Sequence, residues 1–469
     1  MVFRCFLLLF LTVHGSIMAI AQESRRLEVL FLGDDRGHKP IERYRVLKQA
    51  LGPQGINLTF TEDLATITRA NLDLYDALLV YANHEKDQVP EAISPWVRDG
   101  GALVALHSAC GNFHPSKAWF ELVGGRFQSH EGRVFSPKTV DADHPITRDL
   151  PVLTCWDETY IHRDLTPDRH LLQVREPMNK DETEPQPWTW TRDEGKGRVF
   201  YTASGHDLRC WKESAYQILV KRGILWAVGD KRAKEFDDLN LPPLEIETPV
   251  IEGRTHPDIP MMALQKPLSP AASAAHAQVP VGTRLQLFAS EPMVINPISI
   301  DWDTRGRAWV VESFAYPNDV PLEPRSGKDR IKILEDTNGD GKADKMTVFV
   351  DDLRHCTTSV FANGGVVVTD GPDILFLRDD DGDDKADTRK VLATGLNMND
   401  THASTSHFLY GIDNWIYATV GYSGVNIDLA GKKSKFGTSV FRFRPDLSEL
   451  EHLQRTTNNT WGLGFTEQG

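Results

Sequence analysis

The residues best placed for chemistry in the first half of the chain are His107, Glu158 and His206. His107 directly follows the apolar run Ala102-Leu-Val-Ala-Leu106. His206-Asp207 comes just behind the strand-like run ending at Thr202, and Asp157 and Glu158 lie within Trp156-Asp-Glu-Thr-Tyr160. His38, behind the run Leu27–Leu32, could reach the same place. A histidine with carboxylates nearby can act as a general base or hold a metal ion. Capping strand ends and bonding to one another would serve these groups equally well. In enzymes with a nucleophile elbow the reactive residue sits on the sharp turn after the strand. Here that residue is His107, and Cys110 comes three positions later, so a thiol amidotransferase mechanism is not supported.

A second chemistry is spelled out twice. Asp336-Thr-Asn-Gly-Asp-Gly-Lys-Ala-Asp344 recurs as Asp379-Asp-Asp-Gly-Asp-Asp-Lys-Ala-Asp387, 43 residues further on. Oxygen ligands at alternate positions suit a hard cation such as Ca²⁺, with Gly at position 6 permitting the tight turn. Asp336, Asn338, Asp340 and Asp344 fit, with the Lys342 carbonyl as a fifth ligand. Asp379, Asp381, Asp383 and Asp387 form the second set, with Asp384 where Gly is preferred. Neither copy has Glu at position 12, where Thr347 and Lys390 stand, so these are not complete EF-hands. A solvated acidic turn is the alternative to calcium.

These groups need elements to position them. From Leu27 the sequence alternates buried-strand runs with helical patterns: Leu27–Leu32, a helix with Ile41, Tyr44, Leu47 and Leu51 on one face, then Asn57–Thr61, Ala77–Tyr81 and Ala102–Leu106. A last strand, Arg198–Thr202, and a helix over Glu213–Val228 close the domain. That alternation predicts a parallel sheet covered on both faces, with its site at the carboxyl ends of the strands. Residues 231–279 hold seven prolines and an Ala-rich run without sustained period, and read as a linker. From Val281 short β-runs alternate with Gly, Asp and Asn turns, and the 43-residue repeat matches the ~40–50-residue blade of a β-propeller. About four blades fit here, fewer than many propellers need to close, which suggests a piece of a longer protein. The expected organisation is a signal peptide at 1–21, an α/β domain at 22–230, the linker at 231–279 and an incomplete all-β propeller at 280–469.

The signal follows from Arg4, the apolar stretch Phe6–Val13 and the small residues Ala19-Ile-Ala21. No later segment is apolar enough to span a membrane, so the protein is expected to be exported, periplasmic or extracellular. The 469 residues carry 52 basic and 66 acidic side chains, a net charge of −14 that disfavours nucleic acid and anionic lipid as partners. Cys110, Cys155, Cys210 and Cys356 remain after the signal and permit three full pairings, with no zinc spacing among them.

Leu106-His-Ser108, Trp119-Phe-Glu-Leu-Val-Gly-Gly-Arg-Phe127, His130, Asp143-His-Pro-Ile-Thr147, Trp156–Tyr160, Gly197–Tyr201 and Gly205-His-Asp207 together resemble the trehalose-utilisation (ThuA-like) family over roughly residues 26–229. The resemblance implies a fold similar to class I glutamine amidotransferases without their catalytic cysteine, a link to carbohydrate metabolism, and a sugar or sugar-derived ligand. From about Pro267, the segment Val279–Pro292, the acidic repeats, Asp400-Thr-His402, Tyr410–Tyr417 and Gly421–Gly424 resemble the glucose/sorbosone dehydrogenase-like propeller of secreted bacterial membrane-bound dehydrogenase proteins. That resemblance implies a PQQ-dependent sugar oxidoreductase with an electron acceptor as partner. His402 would be the general base, with His407 as competitor and Asn414 standing where the pattern has Gly. No Cys-x-x-Cys-His occurs, so a c-type haem would belong to a further C-terminal part. A non-catalytic carbohydrate-binding or scaffold protein is the alternative function.

Overall fold

The computed structural model describes residues 25–84, 86–180, 182–248 and 262–468, so the expected signal peptide lies outside the described residues. The chain divides into two compact units, Met1–Leu285 and Gln286–Gly469. Among the described residues no helix is long and apolar enough to cross a membrane.

The first unit opens with β1 (Leu27–Leu32), α1 (Pro40–Leu51), β2 (Ile56–Thr61), α2 (Arg69–Leu72), β3 (Ala77–Val80), α3 (Ile93–Arg98) and β4 (Ala102–Leu106). Then come α4 (Lys117–Val123) and the short strands β5 (Arg126–Ser129), β6 (Gly132–Phe135), β7 (Lys138–Thr139), β8 (Cys155–Glu158) and β9 (Ile161–Arg163). They are followed by β10 (His170–Arg175), β11 (Gln186–Glu194), β12 (Gly197–Thr202), α5 (Leu208–Lys212), α6 (Ser214–Ala227) and α7 (Asp230–Asp237). Eight strands form one sheet in the order β2-β1-β3-β4-β12-β11-β10-β7, parallel from β2 through β12 and antiparallel beyond.

Alternation along the strands divides the core in two. Leu27, Val29 and Phe31 of β1 pack with Leu47, Leu51, Leu219 and Ile224 beneath α1 and α6, while Leu30 and Leu32 face Trp96, Val97 and Phe113 on the other side. Each fully buried side chain of this size stabilises by ~1.5–3 kcal/mol relative to exposure, so strands buried on both faces hold the sheet rigid. The stretch expected as a linker is partly structured. Its start forms α7, which buries Phe236 and sends Arg232 to Asp76 at 2.9 Å, and further on lie β13 (Ile246–Glu247), β14 (Leu264–Gln265) and α8 (Pro270–His276). A long-range ion pair and one aromatic side chain order this segment, and neither leaves a sequence period.

The second unit consists of small antiparallel sheets, with no closed propeller among the described residues. β15 (Pro297–Trp302), β16 (Ala308–Glu312), β17 (Asp329–Glu335) and β18 (Lys345–Leu353) form the first. β19 (Ser359–Ala362), β20 (Gly365–Asp370), β21 (Asp373–Arg378) and β22 (Thr388–Thr394) form the second. The third joins β23 (Thr405–Tyr410) and β24 (Ile416–Val420), past the hairpin β25 (Val425–Leu429) and β26 (Lys432–Phe436), to β27 (Ser439–Phe443) and β28 (Leu450–Arg455). Consecutive sheets share cores: Ile331, Ile333 and Phe349 pack with Val366 and Val368, and Val360 and Val367 pack with Phe408, Ile416 and Phe441. The two acidic repeats occupy the same connection in consecutive sheets, between β17 and β18 and between β21 and β22.

One buried ion pair fixes the segment that carries Glu158. Arg175, fully buried at the end of β10, meets Glu182 at 2.5 and 2.8 Å and also donates to the Tyr160 carbonyl at 3.3 Å. The pairing with Arg175, aided by the Met178 and Asn179 amides, outweighs burial and holds the Glu182 carboxyl down at about 2. A carboxyl whose folded value lies below its unfolded value of about 4.3 stabilises fully above that pH and loses its contribution as pH falls toward 2. Glu182→Ala, which leaves a buried guanidinium unpaired, should cost ~3–5 kcal/mol near neutral pH. In urea titrations Glu182→Gln should flatten the wild-type loss of stability between about pH 4.3 and 2. An unchanged acid limb would remove this pair as its cause.

Candidate functional site

The carboxyl ends of the parallel strands surround a cavity of about 530 Å³ lined in part by His38, Phe127, His130, Glu158, Tyr160 and His206. His107, completely buried, lies behind these residues, with its ring centroid 5.5 Å from that of His38 and 4.3 Å from that of Tyr160. It occupies the first position after β4 with φ 44°, the left-handed region that costs a non-glycine residue on the order of 1–2 kcal/mol. That strained backbone turns the imidazole off the strand axis. Its Nδ1 donates to the Ala203 carbonyl at 2.7 Å, because a carbonyl can only accept, which turns Nε2 toward Glu158 and Tyr160. The Tyr160 hydroxyl lies 3.0 Å from Nε2.

Glu158 ends β8 and gathers the histidines around it. Its carboxylate lies 3.3 Å from His107 Nε2, 3.1 Å from His206 Nδ1 and 3.5 Å from His130 Nδ1. The neighbouring Asp157 does a different job. Fully buried, it accepts the backbone N–H groups of Glu158 (2.9 Å), Gly205 (2.8 Å) and His206 (3.0 Å), tying β8 to the turn behind β12. Gly205 has φ 124°, and a Cβ there would lie 2.6 Å from the Tyr216 hydroxyl, so only glycine can make this turn. Tyr81 and Trp211 both donate to the Gly205 carbonyl, and Arg43 donates to that of His206 at 2.9 Å.

Burial alone would raise the Glu158 carboxyl, but His107 and His206 outweigh it and hold the group well below the usual carboxylate range. His206 is raised by its contact with Glu158, against burial. His38 is pushed down to about 3, first by burial and then by His107 and His206, and stays neutral. The arrangement therefore supplies an ionised carboxylate, a neutral imidazole and a histidine that gains a proton readily. These are the parts of an acid–base relay, and they are also metal donors.

Sequence reasoning named His107, Glu158, His206 and His38 as convergent and His130 in the family motif; the structure sets His38, His130, Glu158 and His206 around one cavity and His107 against Glu158 behind it. It assigned no role to Tyr160 and overlooked Arg43, which acts on the site from α1. Cys110 lies outside the reacting set. Burial pushes its thiol up to about 12, and the Tyr201 hydroxyl donates to its sulfur at 3.0 Å, so it supplies no thiolate nucleophile.

In the second unit His402 sits in a short turn before β23, 56% exposed, with Nδ1 3.0 Å from Asp400. It lines a separate cavity of about 360 Å³ with Tyr316, His355, Ser313 and Trp461. His407 lies at a bulge of β23 with φ 56°. Asn414 adopts φ 61°, so it takes the glycine-like conformation its position requires. Asp384 does the same at φ 65° and directs its carboxylate to Arg307 at 2.8 Å, away from its own loop. Donor atoms of Asp379, Asp381 and Asp387 lie within 4.8 Å of one another, whereas Asp383 is paired with Lys385. In the first loop Asp336 accepts the amides of Gly339, Asp340 and Gly341, and Asp344 bonds to Thr337 and Asn338.

Residues 28–227 match the family described as trehalose utilisation (ThuA), and residues 269–469 match a domain of unknown function, DUF7133. Similar solved structures include a putative ThuA-like protein from Parabacteroides merdae, 20% identical, with 44% of this chain and 91% of that one covered and a TM-score of 0.39. Another from Bacteroides uniformis is 17% identical over 47% of this chain and 99% of its own, with a TM-score of 0.41. A Trichoderma reesei protein of Carbohydrate-Active Enzymes family AA12 is 18% identical over 29% of this chain and 32% of its own, with a TM-score of 0.22. No protein of curated function matches significantly. The α/β domain is ThuA-like.

Asp157 gives the site its first test. Asp157→Asn keeps the volume but turns an NH₂ group toward one of three buried N–H donors, and an unsatisfied buried donor costs ~1–3 kcal/mol. The variant should unfold at lower urea than wild type by that amount. An unchanged midpoint would mean that the Gly205-His206 turn is held without this carboxylate.

Proposed function

We propose that the α/β domain takes a sugar or sugar-derived molecule into the His107–Glu158–His206 cavity and acts on it by proton transfer. The supporting observation is the make-up of that cavity, which sets the aromatic faces of Phe127 and Tyr160 beside Glu158 and the histidines. Flat apolar faces suit the C–H face of a pyranose, and the polar groups suit its hydroxyls. The family match adds the link to sugar utilisation. In this reading Glu158, with His107 behind it, receives a proton from the ligand and His206 returns one. Export to the periplasm or beyond belongs to the same proposal. Titrating oxidised and unoxidised disaccharides should show binding to wild type that weakens at least about tenfold in His107→Ala, a loss of ~1.4 kcal/mol. Identical isotherms would remove His107 from the site. Binding without turnover of any sugar would favour a carbohydrate-binding module.

For the second unit we propose sheets of a sugar dehydrogenase-like propeller, with His402 as base and Ca²⁺ in the acidic loops. Three consecutive four-stranded sheets with shared cores and a repeat at one connection support the architecture. The loops suit calcium: both carry side-chain oxygens at alternate positions, all carboxylates except the Asn338 amide, and a left-handed residue at position 6, Gly341 (φ 82°) and Asp384. The His402 cavity offers aromatic faces to a flat quinone, but neither Arg nor Lys among its described lining residues. It supplies no cationic clamp for the carboxylates of PQQ, and no PQQ-dependent step follows from it. Calcium at a hundredfold excess over Kd should stabilise the unit by ~2.7 kcal/mol. A melting curve indifferent to calcium and chelator would remove the ion. Absence of dye-linked sugar oxidation by a longer chain with PQQ and calcium, or a rate unchanged in His402→Ala, would leave a ligand-binding or scaffold role.

A further inference from the structure

We propose that His38, His107, Glu158 and His206 bind one divalent transition-metal ion, zinc or a close analogue, at the α/β cavity.

One donor atom from each of the four residues lies within 4.8 Å of the other three. The four come from separate segments, the loops behind β1, β4 and β12 and the end of β8, so no single local motif forces them together. Glu158 Oε2 lies 3.3 Å from His107 Nε2 and Oε1 lies 3.1 Å from His206 Nδ1, so each oxygen stands off a different histidine at about the ~3.3 Å ligand-to-ligand spacing of a tetrahedral site with bonds of ~2.05 Å.

The hydrogen bonding points the same way. His107 Nδ1 donates to the Ala203 carbonyl, an outer contact that fixes the tautomer of metal-bound histidines and leaves Nε2 for the ion. Nε2 lies 3.3 Å from the Glu158 carboxylate and 3.0 Å from the Tyr160 hydroxyl. His38 Nδ1 and His206 Nδ1 are both buried with no hydrogen-bond partner. The contact of His206 Nδ1 with Glu158 is short but not aligned as a hydrogen bond. An unsatisfied buried polar atom costs ~1–3 kcal/mol, and His38 Nδ1 is one such atom beside the Glu158–His206 ion pair. A single cation satisfies all four donors at once. On binding, the ion takes Nε2 from the Tyr160 hydroxyl. Three imidazoles and one carboxylate select zinc, iron, cobalt, nickel or copper over magnesium and calcium, which prefer all-oxygen sites.

Nearby, Cys155, Asp157 and Cys210 also place donor atoms within 4.8 Å of one another. There Asp157 is already committed to three backbone amides, and burial raises the Cys210 thiol well above its usual range. This group is the competitor to be excluded.

The proposal does not rest on the sugar reading and replaces its proton relay, since Glu158 and His206 bound to an ion would hold that ion rather than exchange protons with a ligand. Metal binding is measured without a carbohydrate. The full chain, stripped with a chelator, is titrated with Co²⁺ and Zn²⁺ and followed by visible absorption and by metal content after gel filtration. One equivalent per chain is expected, with ligand-field bands of four-coordinate cobalt and no thiolate charge-transfer band. His206→Ala and His38→Ala should each weaken binding by more than the ~100-fold upper end of outer-contact effects, while Cys155→Ser/Cys210→Ser should keep it. Chelator-treated melting curves establish that each variant is folded. Should the histidine variants unfold, the wild-type cobalt spectrum decides. A thiolate band, metal lost only with the cysteines, affinity unchanged in both folded histidine variants, or no stoichiometric binding by wild type would each overturn the proposal.

Discussion

The α/β site depends on one buried carboxylate. Asp157 has almost no solvent, and its charge is met by nearby His107 and by three backbone N–H groups, two of them from the turn behind β12 and one from its own strand. Neutral amides meet an anion at the cost of fixing their own positions. The strand that carries Glu158 and the turn that carries His206 therefore cannot move independently. Burial raises the Asp157 carboxyl despite those amides, so its placement is costly and must be repaid by what it positions.

The parallel sheet supplies the other half of that constraint. β1, β4 and β12 lie close together in one sheet, and their carboxyl ends release His38, His107 and His206 at one edge, where the helices behind the sheet leave room. A strand end is rigid up to its last paired residue and free immediately after it. His107 uses that freedom at once through its left-handed φ. The sharp turn after β4 carries His107, and Cys110, three positions on, is sealed beneath Tyr201.

Much of this was legible beforehand because it is local. The apolar runs of β1, β3 and β4 are continuous, as strands buried on both faces must be, and each candidate residue stands next to such a run. What the sequence did not disclose depends on side chains that cross the fold. Arg43 reaches the His206 carbonyl from α1, Arg175 braces the Tyr160 carbonyl from β10, and Arg232 orders α7 from a stretch that reads as a linker. None of these leaves a periodic trace. Asp384 and Asn414 were noted as departures from glycine, yet both adopt positive φ, because short polar side chains tolerate that region where larger ones do not. His402, read from the sequence as part of the second region, lines a cavity of its own there.

The cores shared by consecutive sheets in the second unit carry a consequence for how that unit folds. β20 directs Val366 and Val368 into one core and Val367 into the next, so neighbouring residues of one strand serve different interfaces. Such a stack behaves as a chain of nearest-neighbour couplings, in which the inner sheet contributes to two interfaces and each outer sheet to one within the described residues. Cooperativity then passes through β20. A sheet at either side can fray without dissolving the stack, whereas loss of order in the middle strand uncouples both neighbours at once.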